Sequence, residues 1–307
     1  MGKFKEFVIH QCLDWLSQEE YVALVTLVAT LGSSPRRVGS QIAVSGAGDS
    51  VGSISGGCAE SAIVELALEA IGKQENNLIR FGEDSPYLDI RLPCGSSIDV
   101  FFEVGLGHDD FTQILDKMAI RSPAYMAFNL QDRTSQLVEQ IVDADYLHTY
   151  HPTTQIVVAG NGPIVPALVG LCDLLEFDVL VCSSEPETLG QIETAASTRN
   201  LVKPGPLEGV EYDRYTGLCS VFHDHEWESE LIKQALDGGA FYVGALGSQR
   251  THELRKLELA DLGLNPVAIE SIRAPIGINL AANGPHEIAV AIAAELIESR
   301  NRIKNEY

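Results

Sequence analysis

The chain has 307 residues, 21 Lys+Arg and 43 Asp+Glu, a formal charge of −22. That length suggests about two domains, and the charge argues against a nucleic-acid binder, which needs a basic face to displace counterions, and against an anionic membrane surface. An apolar content of 45% is ordinary for a folded chain, and the acidity is even: 10 basic and 21 acidic residues to position 150, then 11 and 22. No run approaches the ~18 apolar residues of a membrane span, and the start, Met1-Gly2-Lys3-Phe4-Lys5, does not read as a signal peptide. Six well-separated cysteines without a C-x-x-C pair fit reduced thiols and a cytoplasmic location.

In chain order, residues 7–19 read as a helix and 21–31, β-branched and continuously apolar, as a buried strand. A loop with Gly32, Ser33, Ser34, Pro35 and Gly39 follows, then short strands near 41–44 and 51–54 around the turn Gly46-Ala47-Gly48-Asp49. After Gly56-Gly57-Cys58, Ile63, Leu66, Ala67, Ala70 and Ile71 recur at helical spacing. Ile98, Val100, Phe102 and Val104 alternate as a strand. A helix is expected near 110–119 and a strand near 123–129. The polar run from Gln131 and the stretch His148–Pro152 read as a domain end and linker, which places domains at 1–150 and 151–307. Beyond it, strands at 156–159, 179–182, 218–222 and 241–243 alternate with helices, the last opening at Pro285. The fold expected is α/β: an N-terminal α/β domain, then a Rossmann-like doubly wound parallel sheet.

Four features carry chemistry. Gly160-Asn161-Gly162 follows a strand and opens a helix, as in dinucleotide sites, where a helix N-terminus receives phosphate. Val165 replaces the usual third glycine, Pro166 sits where an intrahelical N–H is wanted, and Cys182-Ser183-Ser184 stands where a ribose-binding acid is expected, with Glu185 slightly late. Secondly, Arg36 and Arg37 are the only charges between Glu20 and Asp49, and Arg250 is the only one between Asp237 and Glu253. Each sits among Gly and Ser, including Ser34, Gly244, Gly247 and Ser248, so both loops are candidate anion sites. Thirdly, Cys58 follows two glycines at a helix start, where dipole and free N–H groups favour a thiolate over an ordinary buried thiol; Cys94, in Pro93-Cys94-Gly95, lies in a similar loop and can equally be an ordinary buried one. Fourthly, His223-Asp224-His225-Glu226 looks metal-like, but no third ligand follows by spacing, and a solvated loop is the better reading.

Three blocks together resemble the xanthine dehydrogenase accessory factors, the XdhC/CoxI family. They are Gly32-Ser33-Ser34-Pro35-Arg36 with Val38-Gly39-Ser40 and Val51-Gly52-Ser53-Ile54-Ser55-Gly56-Gly57-Cys58; Cys94-Gly95 with Ile98-Asp99-Val100; and Gly244-Ala245-Leu246-Gly247-Ser248 with Arg250-Thr251, Ala274-Pro275-Ile276-Gly277 and Glu287-Ile288-Ala289. The resemblance implies a maturation factor without turnover of its own. Such a factor binds molybdenum cofactor (molybdopterin), supports its sulfuration by a cysteine desulfurase and delivers it to a molybdenum hydroxylase apo-enzyme; the family association also suggests a homodimer. In this reading residues 1–150 form the cysteine-containing cofactor domain. Cys58 contacts the metal, Cys94 lies nearby, Gly56 and Gly57 allow close approach, and Arg36 or Arg37 takes the phosphate. The alternative is an oxidoreductase holding NAD(P), or another nucleotide, at Gly160 and Gly162, with His223 or His252 as a loosely supported acid or base.

Overall fold

The computed structural model describes residues 4–32, 34, 36–57, 59–82, 85 and 96–304. The chain forms two compact units, Met1–Pro152 and Thr153–Tyr307. The first contains α1 (Phe4–Ser17), β1 (Val22–Leu31), β2 (Gln41–Ser45), β3 (Ser50–Gly52), α2 (Glu60–Lys73), β4 (Asn77–Gly82), β5 (Ser97–Glu103), α3 (His108–Ala119), β6 (Ala124–Asn129), β7 (Thr134–Val138) and β8 (Tyr146–Tyr150). Five strands form one antiparallel sheet in the order β3-β2-β1-β5-β4, and the last three form a second, β7-β6-β8.

β1 is continuously apolar because both its faces are covered. Side chains alternate across a strand, so Ala23, Val25 and Leu27 meet Ile63, Ala67, Ala70 and Ile71 of α2. Val22, Leu24 and Val28 meet Val8, Ile9, Cys12 and Trp15 of α1 and Phe111 and Ile114 of α3. The segment read as a domain end and linker does close the first unit, at Pro152, but it is strand rather than linker: it supplies β7 and β8, which flank β6. Both strands are only half-buried, which is why their composition looks loop-like.

The second unit contains β9 (Gln155–Gly160), α4 (Ile164–Leu174), β10 (Asp178–Ser183), α5 (Pro186–Gly190), β11 (Ser197–Asn200), β12 (Thr216–Val221), α6 (Ser229–Asp237), β13 (Tyr242–Ala245), α7 (Gln249–Asp261), α8 (Pro266–Glu270) and α9 (Pro285–Lys304). All pairs are parallel, in the order β11-β10-β9-β12-β13. α4 and α9 pack on one face through Val165, Leu168, Ile292 and Leu296. α6, α7 and α8 cover the other through Leu231, Ile232, Leu259 and Ile269. This is the doubly wound arrangement expected. Strand order reverses between β9 and β12, so a crevice for ligands opens at their carboxyl ends. Pro166 is no obstacle. The helix begins at Ile164, so Pro166 lies in the first turn, where no intrahelical N–H bond is made.

Candidate functional site

In the first unit, β3 and α2 are joined by a turn through Gly56 (φ +73°) and Gly57 (φ +112°), a left-handed path that glycine adopts readily. Among the described residues, a Cβ on Gly57 would meet nothing within 4 Å. The organising group is Glu60. Its Oε1 accepts from the Ser53 hydroxyl and the Ser55 N–H, each at 2.9 Å. Its Oε2 accepts from the Ser55 hydroxyl, from the Gly57 N–H at 2.7 Å and from the Ala59 N–H at 3.3 Å. Burial alone pushes this carboxyl up, but the Ser55 and Ser53 bonds outweigh it and bring its pKa down to about 2. The N–H groups of Gly57 and Ala59, which the sequence leaves free beside Cys58, are therefore engaged, and the turn carries a negative charge. Cys58 and Cys94 themselves lie outside the described residues.

The arginine loop leaves β1 at Gly32 and returns at β2. Ser34 Oγ accepts from the Arg36 N–H at 3.4 Å, and the Arg37 carbonyl accepts from the Ser40 N–H and hydroxyl at 3.0 and 2.8 Å. Gly39 (φ +88°) presses on β8. A Cβ there would stand 2.9 Å from Tyr146 OH and 3.2 Å from His148 Nδ1. Arg37 is exposed and Arg36 half-buried. At the other end, a Cβ on Gly32 would stand 3.2 Å from Ser96 Cβ, so the loop starts beside the residue that follows Gly95. Gln41 brings the two turns together. It ends the arginine loop, its carbonyl accepts from the Ser53 N–H at 3.2 Å, and its amide donates to Thr26 Oγ1 and Tyr150 OH at 3.0 and 2.9 Å.

The glycine fingerprint belongs to the second unit, and its donors are used internally. The Gly162 N–H donates to Thr188 Oγ1 at 2.9 Å, and Thr188 donates in turn to Glu185. Asn161 binds the end of β10: its carbonyl accepts from the Ser183 hydroxyl at 2.7 Å, and its amide donates to Ser184 Oγ at 2.9 Å. Gly160 is a packing residue, since a Cβ there would stand 2.7 Å from the Val221 backbone.

Beside β13, Ser248 caps α7 by accepting from the Thr251 N–H at 3.2 Å, and Arg250 is exposed in that helix's first turn. A Cβ on Gly244 would collide with Tyr242 and Ile276, and one on Gly247 (φ +128°) with Thr251. Beneath the loop lies an ion pair that charge spacing does not reveal. Arg255 Nε donates to Glu228 Oε1 at 2.9 Å, with the two side chains 1% and 0% exposed. Arg255 Nη2 donates to the Leu246 carbonyl at 2.6 Å, and the Ser220 hydroxyl donates to Glu228 Oε2 at 3.1 Å. His252, beside Arg255, has its pKa pushed down by burial and then by the Arg255 and Lys256 charges. The His223–Glu226 stretch runs into a short 3-10 turn, His225–Trp227. Among the described residues no group of His, Cys, Asp and Glu is arranged to hold a metal ion.

Sequence reasoning passes over Glu60, Asn161, Thr188, Glu228 and Arg255. Only Glu60 leaves a usable signal, an acid three residues past a Gly-Gly turn at a helix start.

A parallel doubly wound unit preceded by an antiparallel α/β unit with a Gly-Gly turn defines the class of chain to which comparison then gives a family. The XdhC Rossmann domain model matches residues 156–296, and the XdhC and CoxI family model matches residues 15–82. The chain belongs to the XdhC and CoxI family. It is 26% identical over 298 residues to the molybdenum cofactor insertion chaperone PaoD of Escherichia coli (strain K12), covering 95% of this chain and 88% of that one. It is 24% identical over 341 residues to a probable xanthine dehydrogenase subunit of Bacillus subtilis (strain 168), covering 99% of both. A crystal structure of a xanthine dehydrogenase from Bacillus halodurans shares the fold, with a TM-score of 0.75 over 96% of each chain at 19% identity.

Proposed function

We propose that the chain is a maturation factor that binds molybdenum cofactor in its first unit, keeps it available for sulfuration by a cysteine desulfurase and passes it to a molybdenum hydroxylase apo-enzyme. One observation carries this reading: the arginine loop and the Ser53–Gly57 turn meet through the hydrogen bond from Ser53 to Gln41. That edge presents an exposed cation, Arg37, and, among the described residues, open space beside the Gly57 backbone. The cation suits a phosphate at one end of a ligand, and a thiol next to that open backbone suits a soft metal at the other. Cys58 supplies sulfur next to Gly57 in the chain, Arg36 and Arg37 hold the phosphate, and Gly56 and Gly57 admit the ligand to the backbone. When bound, the cofactor supplies the molybdenum that the target enzyme uses. The chain's own part is to hold it. The similarity to an insertion chaperone supports this role.

The test is purification under anaerobic conditions from a host that makes the cofactor, with molybdenum and pterin measured per chain. Wild type carries both, and Cys58→Ala loses both while remaining folded. A wild-type protein that carries neither, with cofactor supplied, overturns the reading.

A further inference from the structure

We propose that Glu60 is the positioning residue of the Cys58 site, a proposal that rests on the cofactor reading above. The plain alternative is that Glu60 only favours its helix, as any acid in a first turn does. The distribution of its partners argues otherwise. Among the described residues, four of the donors that other residues give it come from the turn before the helix: the Ser53 hydroxyl, the Ser55 N–H and hydroxyl, and the Gly57 N–H. The Ala59 N–H, at the helix cap, is the longest of these contacts at 3.3 Å. Gly57 and Ala59 are the chain neighbours of Cys58, and both their N–H groups end on the same oxygen, Oε2.

Two successive glycines with positive φ give a chain more freedom than any other pair. The carboxylate removes that freedom, because releasing the turn strands several donors at once. Both oxygens are needed. Oε1 serves Ser53 and the Ser55 N–H, while Oε2 serves the Ser55 hydroxyl, Gly57 and Ala59. Glutamine keeps the shape but turns one oxygen into a donor that faces donors. Aspartate keeps both oxygens on a shorter stem.

The experiment compares Glu60→Gln and Glu60→Asp with wild type in cofactor-free protein and in protein from the cofactor-making host. In Glu60→Gln, amide exchange at Ser55, Gly57 and Ala59 is expected to quicken by about tenfold or more, with Ile63–Ile71 unchanged, as loss of one or two bonds implies. Iodoacetamide labelling of Cys58, read by mass spectrometry at one pH, is expected to change about fivefold or more, and cofactor per chain to fall about tenfold. Glu60→Asp should bring labelling and cofactor content back toward wild type, a rescue that loss of helix stability alone would not produce. If Glu60→Gln fails to fold, Ser55→Ala, which removes one hydroxyl donor from the carboxylate, is read in the same way. Wild-type exchange at 55–59 together with wild-type labelling of Cys58 overturns the proposal. Full cofactor in Cys58→Ala overturns instead the reading on which it rests, while exchange and labelling still decide whether Glu60 holds the turn.

Discussion

Gly160 and Gly162 look like equal members of one fingerprint, yet the structure gives them different duties. At Gly160 a methyl group would run into the backbone of Val221 on the neighbouring strand. Gly160→Ala is therefore expected to cost about 2–3 kcal/mol, as overpacking does. Gly162 has φ +80° but, among the described residues, nothing within 4 Å of an added Cβ, so Gly162→Ala should cost only the left-handed penalty, about 1 kcal/mol. Urea denaturation of the two variants gives the order; a more damaging Gly162→Ala would refute the packing argument. Arg37 differs again, being exposed and bonded through its carbonyl rather than used as a structural cation. Arg37→Ala should leave the melting temperature unchanged but weaken pterin retention, most visibly at moderate salt, where screening has already weakened the remaining attraction. Retention equal to wild type at every salt concentration would remove Arg37 from the site. The buried thiols are held inert: burial pushes Cys172 up to about 12 and Cys182 up to about 11. Native labelling at neutral pH should spare both until denaturant is added. The sequence sets the cysteines and arginines in suggestive company, and it marks Glu60 by its place after the Gly-Gly turn; which N–H groups that carboxylate takes depends on a side-chain path that spacing does not give.

At the scale of elements, legibility followed coverage. α2 was readable because its apolar stripe packs on one sheet face and repeats at helical spacing. α7 was not, because its buried positions include His252 and Arg255 beside Leu259, while Leu254 and Leu257 are 54% and 66% exposed. Its inward stripe is written in charge. Arg255→Ala leaves Glu228 buried without its cation, which is expected to cost about 3–5 kcal/mol. Leu254→Gln, on the outer face, should stay within about 0.5 kcal/mol of wild type; chemical denaturation checks both. β7 and β8 escaped for another reason: each is half-buried, and what fixes β7 is a long-range contact, the Ser135 hydroxyl bonded to Glu103 of β5. Glu103 is 3% exposed and also accepts from Asn76 and the Gly105 N–H at 2.8 and 2.6 Å. Burial pushes its pKa up, against those bonds. The folded state thus binds this proton more readily than the unfolded one. The associated stability is full below the unfolded carboxylate value and is lost as pH rises through the folded value. Melting curves between those limits should show the wild type losing stability relative to Glu103→Gln as pH rises; a constant difference would contradict the assignment.

For the molecule as a whole, a charge of −22 spread evenly over both halves means self-repulsion opposes compaction throughout. Raising salt from about 0.02 to 0.2 M shortens the screening length severalfold and should raise the melting temperature. A fall over that range would show that attractive pairs dominate instead. The excess acid also isolates the arginine loop, whose cations face a chain that otherwise repels anions. Glu228 and Arg255 have a final consequence, which lies in how α6 and α7 unfold. They are 27 residues apart, and each must give up water in the same event. A chain cut after α6 keeps the glutamate but not its cation, so closing α6 over Glu228 without α7 is expected to be costly, and α6 and α7 are expected to unfold together, which amide exchange on the two helices checks.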